Sequence, residues 1–176
     1  MAIHVVPPLV LADPSDDPEH YEFLNGQWVK KDVGRKEHSK MGRILFNLLL
    51  PFARQLNCAL DTEWTIVQGR KKIIPDVTMS FPAPEYSMSD GYLVAPAMLV
   101  VETRSPRQRL SKLIDKCLND HFGMDNRTCW IVDIEQELGY ECKAETGQAV
   151  VVETLTAGPA IRIPVASVFS AFDQEM

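Results

Sequence analysis

Two apolar segments each carry an acid, and a basic helical segment follows them. Ile74-Pro75-Asp76-Val77 puts a carboxylate on the polar face of one expected strand, and Met98-Leu99-Val100-Val101-Glu102-Thr103 puts another at the end of the next. Lys112 and Lys116 then precede the apolar run Trp130-Ile131-Val132-Asp133. Carboxylate oxygens are ligands of Mg²⁺, and an ion held by two of them beside a lysine can activate water against a phosphodiester. The residues therefore point to metal-assisted phosphodiester cleavage, with Asp76 and Glu102 as ligands of Mg²⁺, or of Mn²⁺ in its place. Lys116 would order the attacking water or stabilise developing charge. The same acids would also serve a hydrolase of small phosphoesters.

The other candidates are weaker. Glu102 follows four apolar residues, where an acid is costly to bury unless a cation meets it; Asp76 alone could equally be a solvated or capping carboxylate. Glu63 could add a third metal ligand, although its pattern favours solvent. His38 lies one turn before Met41 at the edge of an apolar helix face, a place more often structural, with hydrogen bonding to substrate as the alternative. Between Arg104 and Lys116 stand five basic residues, Arg104, Arg107, Arg109, Lys112 and Lys116, against one acid, Asp115. Arg104 and Lys112 are the ones expected to contact phosphate. Arg70-Lys71-Lys72 adds a second basic cluster just before Asp76.

Composition narrows the classes. A chain of 176 residues with 45% hydrophobic content can bury one core, which predicts an extended, proline-rich arm over 1–18 and a single domain over 19–176. A net charge of -6 argues against a protein that coats nucleic acid non-specifically. The cysteines Cys58, Cys117, Cys129 and Cys142 are widely spaced and form no CxxC pattern, so neither a zinc site nor a disulfide framework is expected from spacing. No secretory signal is visible, and the longest apolar run, 44–50, is interrupted by Asn47 and too short to span a bilayer. A cytoplasmic location without membrane association is the expectation.

The elements that must position these residues follow from periodicity. Asn25-Gly26 between two short strands predicts a hairpin. Met41, Ile44, Leu45, Leu48, Leu49 and Phe52 predict a long helix after Gly34, bent near Pro51. Alternation predicts strands over 60–67 and 73–81, and the unbroken run before Glu102 a central strand. Leu110, Leu113, Ile114, Cys117, Leu118 and His121 predict the buried stripe of a second helix, and Cys129 to Ile134 another strand. Segments 138–144, 148–155 and 161–163 predict a terminal β-meander. The class is α/β, a mixed central sheet flanked by helices.

The ordered set Tyr21-Glu22-Phe23-Leu24-Asn25-Gly26, His38, Pro75-Asp76-Val77, Val101-Glu102-Thr103-Arg104-Ser105-Pro106, Lys116 and Trp130-Ile131-Val132-Asp133 resembles the Uma-type restriction-endonuclease family. That family lies within the PD-(D/E)XK nuclease superfamily. The resemblance covers about residues 19 to 170. It implies a restriction-endonuclease-like core and Mg²⁺-dependent cleavage of DNA, with the acidic pair at Asp76 and Glu102 and the lysine at Lys116. Arg104 stands where the superfamily usually has lysine, two residues after the glutamate; arginine can bind phosphate but is no general base. Asp120 replaces an aromatic residue frequent in the family, and the interval from Lys116 to Trp130 is about one residue longer than the family pattern implies. A homodimer would supply the second site that a double-strand cut needs. A non-catalytic DNA-binding or protein-interaction module on the same fold is the alternative.

Overall fold

The computed structural model describes residues 20–31, 36–84, 88–89 and 91–175. The arm expected at 1–18 and the expected helix boundary at Gly34 lie outside the described residues. Strands β1 (Tyr21–Leu24) and β2 (Gln27–Lys30) form the expected hairpin, with Asn25 and Gly26 at φ 49° and 78° supplying the left-handed turn. Helix α1 (Lys36–Leu56) continues through Pro51 and buries Met41, Ile44, Leu45, Leu49 and Ala53 on one face.

The two strands expected at 60–67 and 73–81 are each split. Strand β3 (Cys58–Thr62) stops at Glu63, whose φ of 54° breaks the extended backbone, and β4 (Ile66–Gln68) and β5 (Lys71–Ile73) belong to a different sheet. Pro75, lacking an N–H, separates β5 from β6 (Val77–Pro82), so Asp76 stands just before β6 rather than inside a strand. Short strands β7 (Met88–Ser89) and β8 (Tyr92–Leu93) follow, then β9 (Leu99–Arg104).

The second helix begins as α2 (Leu110–Asp115), widens into a π turn over Lys116–His121 and tightens into a 3₁₀ turn over Phe122–Met124. It leads to β10 (Cys129–Asp133), β11 (Leu138–Lys143) and β12 (Gln148–Val152). Strands β13 (Thr154–Ala157) and β14 (Ile161–Pro164) make a separate hairpin, and α3 (Val165–Gln174) ends the described chain. The expected meander is thus only partly realised, because the chain leaves the central sheet after β12 and closes with a helix.

The central sheet runs β12-β11-β10-β9-β6-β3, with β9 and β10 parallel and the other neighbours antiparallel. A second sheet, β2-β1-β5-β4-β8-β7, carries the hairpin. Leu99 and Val101 of β9 point toward α1 and α3, packing with Leu45, Leu49, Trp130 and Phe169. Val100 points the other way, toward Leu113, Cys117 and Met124 beneath the second sheet. Covering both faces is what the unbroken apolar run in β9 requires.

At Gly139 the approach of α3 leaves no room for a side chain. A Cβ there would lie 2.6 Å from Val165 Cγ2 and 3.3 Å from Leu155 Cδ2. Because Val165 is β-branched and stiff at χ1, Gly139→Ala should cost about 1–3 kcal/mol, and adding Val165→Ala should recover part of it. Thermal unfolding of the two variants checks this; an unchanged midpoint for Gly139→Ala would show that α3 is not packed so tightly.

Candidate active site

Asp76 is held by four contacts. Its Oδ1 lies 3.0 Å from Lys31 Nζ and 2.9 Å from His38 Nε2. Its Oδ2 accepts from Thr103 N at 2.6 Å and from Thr103 Oγ1 at 2.7 Å. The hydrogen bond from Asp76 N to Val101 O, 3.0 Å, fixes the residue against β9. Burial would raise the carboxyl's pKa, but Lys31, His38 and Thr103 together outweigh it and hold the group ionised well below the usual carboxylate range.

Glu102 is 3% exposed, and Lys116 Nζ and His121 Nε2 both meet its Oε1 at 2.7 Å. Lys116 also reaches Glu22 Oε1 at 2.8 Å, the same oxygen that accepts from Ile74 N at 2.7 Å. Burial alone would lower the lysine's pKa; Glu102 and Glu22 reverse this and push it far above its ordinary value. Lys116 is therefore held as a cation between the two carboxylates. Glu102, buried likewise, is lowered by Lys116 and His121.

The π turn explains how one carboxylate gains both partners. Residues five apart on an ordinary α-helix are separated by about 140° around the axis. The π turn instead bonds Phe122 N to Cys117 O, an i to i+5 step that brings residue 121 back to the side of residue 116. Asp120, drawn in by the same turn, is 2% exposed, its Oδ2 lacks a hydrogen-bond partner, and burial raises its pKa.

Asp76, Glu102, Glu22, His38 and Lys116 line one groove of about 550 Å³, and Lys30, Lys31, Arg107, Arg109 and Lys112 stand along it. Of the residues singled out in the sequence, this groove gathers Asp76, Glu102, Lys116, Lys112 and His38. His38, favoured as structural, touches Asp76, and its Nδ1 lies 3.0 Å from Ser105 Oγ.

Two of the expected residues stand apart from this groove. Arg104 does not line the groove: its guanidinium binds Asp133 at 2.8 and 3.0 Å and Glu135 at 2.9 Å, so its charge is already matched. The exposed Glu63 side chain is 3.8 Å from Lys31 and shares a neighbouring groove with Asp76 and His38. The third carboxylate of the groove is Glu22. Sequence reasoning also missed Lys31, Thr103 and His121, although Thr103 could have been found as the residue whose amide and hydroxyl follow Glu102 at a strand end.

A mixed sheet whose neighbouring elements deliver two buried acids and a lysine to one groove defines a restriction-endonuclease-like core. The profile of the Uma2 family, described as "Putative restriction endonuclease", matches residues 9–170, and the chain belongs to that family. The fold is shared with a crystal structure described as "a putative nuclease belonging to DUF820 from Anabaena variabilis ATCC 29413", at 15% identity and a TM-score of 0.72 over 86% of this chain and 90% of that one. A cryoEM structure of a DrdV–DNA complex aligns with 78% of this chain and 13% of its own, at 15% identity and a TM-score of 0.38. No curated protein matches the chain. Among the described residues no helix is long and apolar enough to cross a membrane.

Proposed function

We propose that this protein is a divalent-metal-dependent endonuclease acting on DNA. The observation that carries the reading is the groove itself, in which Glu22, Asp76 and Glu102 present oxygen ligands beside an ion-paired lysine, under a row of cations. An all-oxygen donor set of carboxylates suits Mg²⁺ or Mn²⁺. Asp76 and Glu102 would hold the ion, which when bound polarises the phosphodiester and acidifies the attacking water. Family membership supports the same chemistry.

The chain's own residues have separable tasks in this reading. Lys116 spends two donors on Glu102 and Glu22; its third N–H is assigned to the attacking water or a phosphate oxygen. Lys112, Arg107 and Arg109, on the exposed side of the groove, contact the DNA backbone and give salt-dependent binding. His38, with a pKa that burial lowers but Asp76 raises on balance, orients Asp76 and can donate to substrate.

One observation favours the alternative, a DNA-binding or protein-interaction module without catalysis. Asp76 already has Lys31 and His38 on one oxygen and Thr103 on the other, so an ion must displace Lys31 to reach it. Incubation of supercoiled DNA with wild type and Glu102→Gln, in Mg²⁺, in Mn²⁺ and in chelator, decides between them. Nicking should require the metal and fall at least about 100-fold in the variant. Salt-sensitive binding that ignores the metal and leaves the DNA intact would establish the non-catalytic module, and nicking that survives Glu102→Gln would remove Glu102 from the site.

A further inference from the structure

Three of the four cysteines meet behind the acidic groove, in the core between the second helix and the central sheet. Cys117 and His121 come from the π turn and Cys129 from β10. Cys142 of β11 lies directly opposite Cys129 in the strand register, which puts their side chains on one face. The sulphurs of Cys117 and Cys129 and a ring nitrogen of His121 all lie within 4.8 Å of one another, and the three residues are buried. Cys142 stands beside this trio, facing Cys129 across the β10–β11 ladder.

Buried thiols are commonly inert packing groups. These instead form a cluster, with Cys129 Sγ donating to Cys117 Sγ at 2.6 Å beside an imidazole and a third cysteine. A disulfide would use two sulphurs and leave a third thiol and an imidazole beside it. A tetrahedral cation would use all four, spreading the sulphurs to about 3.8 Å, the edge of a tetrahedron whose metal–sulphur bonds are about 2.3 Å.

His121 is held as ligand histidines are held. Its Nε2 lies 2.7 Å from Glu102 Oε1, and its Nδ1 faces Asn126 Nδ2 at 3.5 Å. With the ring proton donated to Glu102, Nδ1 is the acceptor nitrogen, held only by the 3.5 Å contact from the Asn126 amide; an ion displacing that contact would complete the carboxylate–histidine–metal relay by which outer carboxylates orient a ligand imidazole.

We propose that Cys117, His121, Cys129 and Cys142 form a tetrahedral site for a thiophilic divalent cation, with Zn²⁺ as the ion that fits. The soft sulphur set selects against Mg²⁺, so this site and the oxygen-lined groove take different metals. Uptake exchanges three S–H bonds for three metal–sulphur bonds and releases three protons to solvent, with no change of oxidation state. Of the four, Cys142 lines a groove of about 970 Å³, together with Asn126, Arg127 and Thr128. Once bound, the ion ties the π turn to β10 and β11 and fixes His121 behind Glu102.

The test is titration of the reduced, chelator-stripped full chain with Co²⁺ in excess Mg²⁺, which occupies carboxylate sites. Expected is one equivalent of uptake with thiolate-to-cobalt charge-transfer absorption and tetrahedral ligand-field bands, displaced by Zn²⁺. Cys58→Ser, outside the cluster, should bind as wild type does, and Cys142→Ser should bind at least about 100-fold more weakly. Should Cys142→Ser fail to fold, protection of three wild-type cysteines from a thiol reagent by Zn²⁺ gives the same answer. Folded, reduced wild type that shows only octahedral cobalt bands, a Cys142→Ser variant of unchanged affinity, or thiols unprotected by Zn²⁺ would overturn the site.

Discussion

Asp76→Ala should lose metal-dependent DNA cleavage and, with it, a large share of its folding stability. The carboxylate is 5% exposed and anchors Lys31, His38 and Thr103 together. Its removal strands a lysine that also contacts the Ile74 carbonyl and Glu63. Breaking one side of a buried ion pair costs about 3–5 kcal/mol, which in a chain of this size lowers the unfolding midpoint by roughly 6–20 °C. A clean separation of fold from catalysis, natural to expect when Asp76 is read as a surface carboxylate, is therefore not available from alanine. Asp76→Asn keeps the shape and should retain more of the fold while still losing cleavage.

The pH dependence of the difference carries its own signature in metal-free protein. A carboxyl held below its ordinary pKa contributes stability that is complete above the unfolded value, about 3.9, and is lost as pH falls through the folded value. His38, raised on balance by Asp76, contributes below its unfolded value of about 6.5 and loses that contribution as pH rises through the folded one. The stability gap between wild type and Asp76→Ala should thus be widest between these limits and narrow on both sides. Equilibrium unfolding by urea across the range measures it. A gap that does not vary with pH, or a variant that still nicks DNA at the wild-type rate, would contradict the assignment.

Lys116→Met should be the second severe variant. Methionine fills the space but leaves Glu102 and Glu22 facing each other without the cation that both contact. The two carboxylates then repel each other, and the chain should lose about 3–5 kcal/mol. Adding Glu22→Gln removes the repulsion and should restore about 0.5–3 kcal/mol of that loss. Cleavage should return in neither variant, since the donor assigned to the water is gone. Calorimetry of the single and double variants reads the coupling; a double variant no more stable than the single would mean that Glu22 and Lys116 do not interact as their 2.8 Å separation requires.

The acid pair and lysine could be picked out from sequence because each breaks a local rule. Glu102 follows an apolar run, Asp76 follows a proline, and Lys116 sits beside the buried stripe of its helix. Glu22 and Lys31 break no such rule. They lie on and just beyond an amphipathic hairpin, and only the pairing of β1 with β5 through Phe23 and Lys72 carries them to the groove. The cysteine cluster was hidden for the same reason: Cys129 and Cys142 become neighbours through β10–β11 register, and Cys117 through the crossover helix. Continuous alternation over 60–67 concealed a change of sheet, because period two reports an extended backbone and not its partner. Helix α3 was more accessible. Val165, Val168, Phe169 and Phe172 follow helical spacing after Pro164, which stands at the helix N-cap.

The widened turn at Lys116–His121 works as a phase shift within one helix. Up to Asp115 the helix meets the sheet in one rotational setting, and beyond it in another. A relative with an uninterrupted α-helix here could still aim a lysine at the glutamate, but its residue at position 121 would be turned about 140° from that lysine. In such a chain the histidine would have nothing to grip and the thiols of this region no imidazole to complete them. The widened turn, His121 and the three core cysteines should therefore be inherited as one unit, present together or absent together among homologous chains.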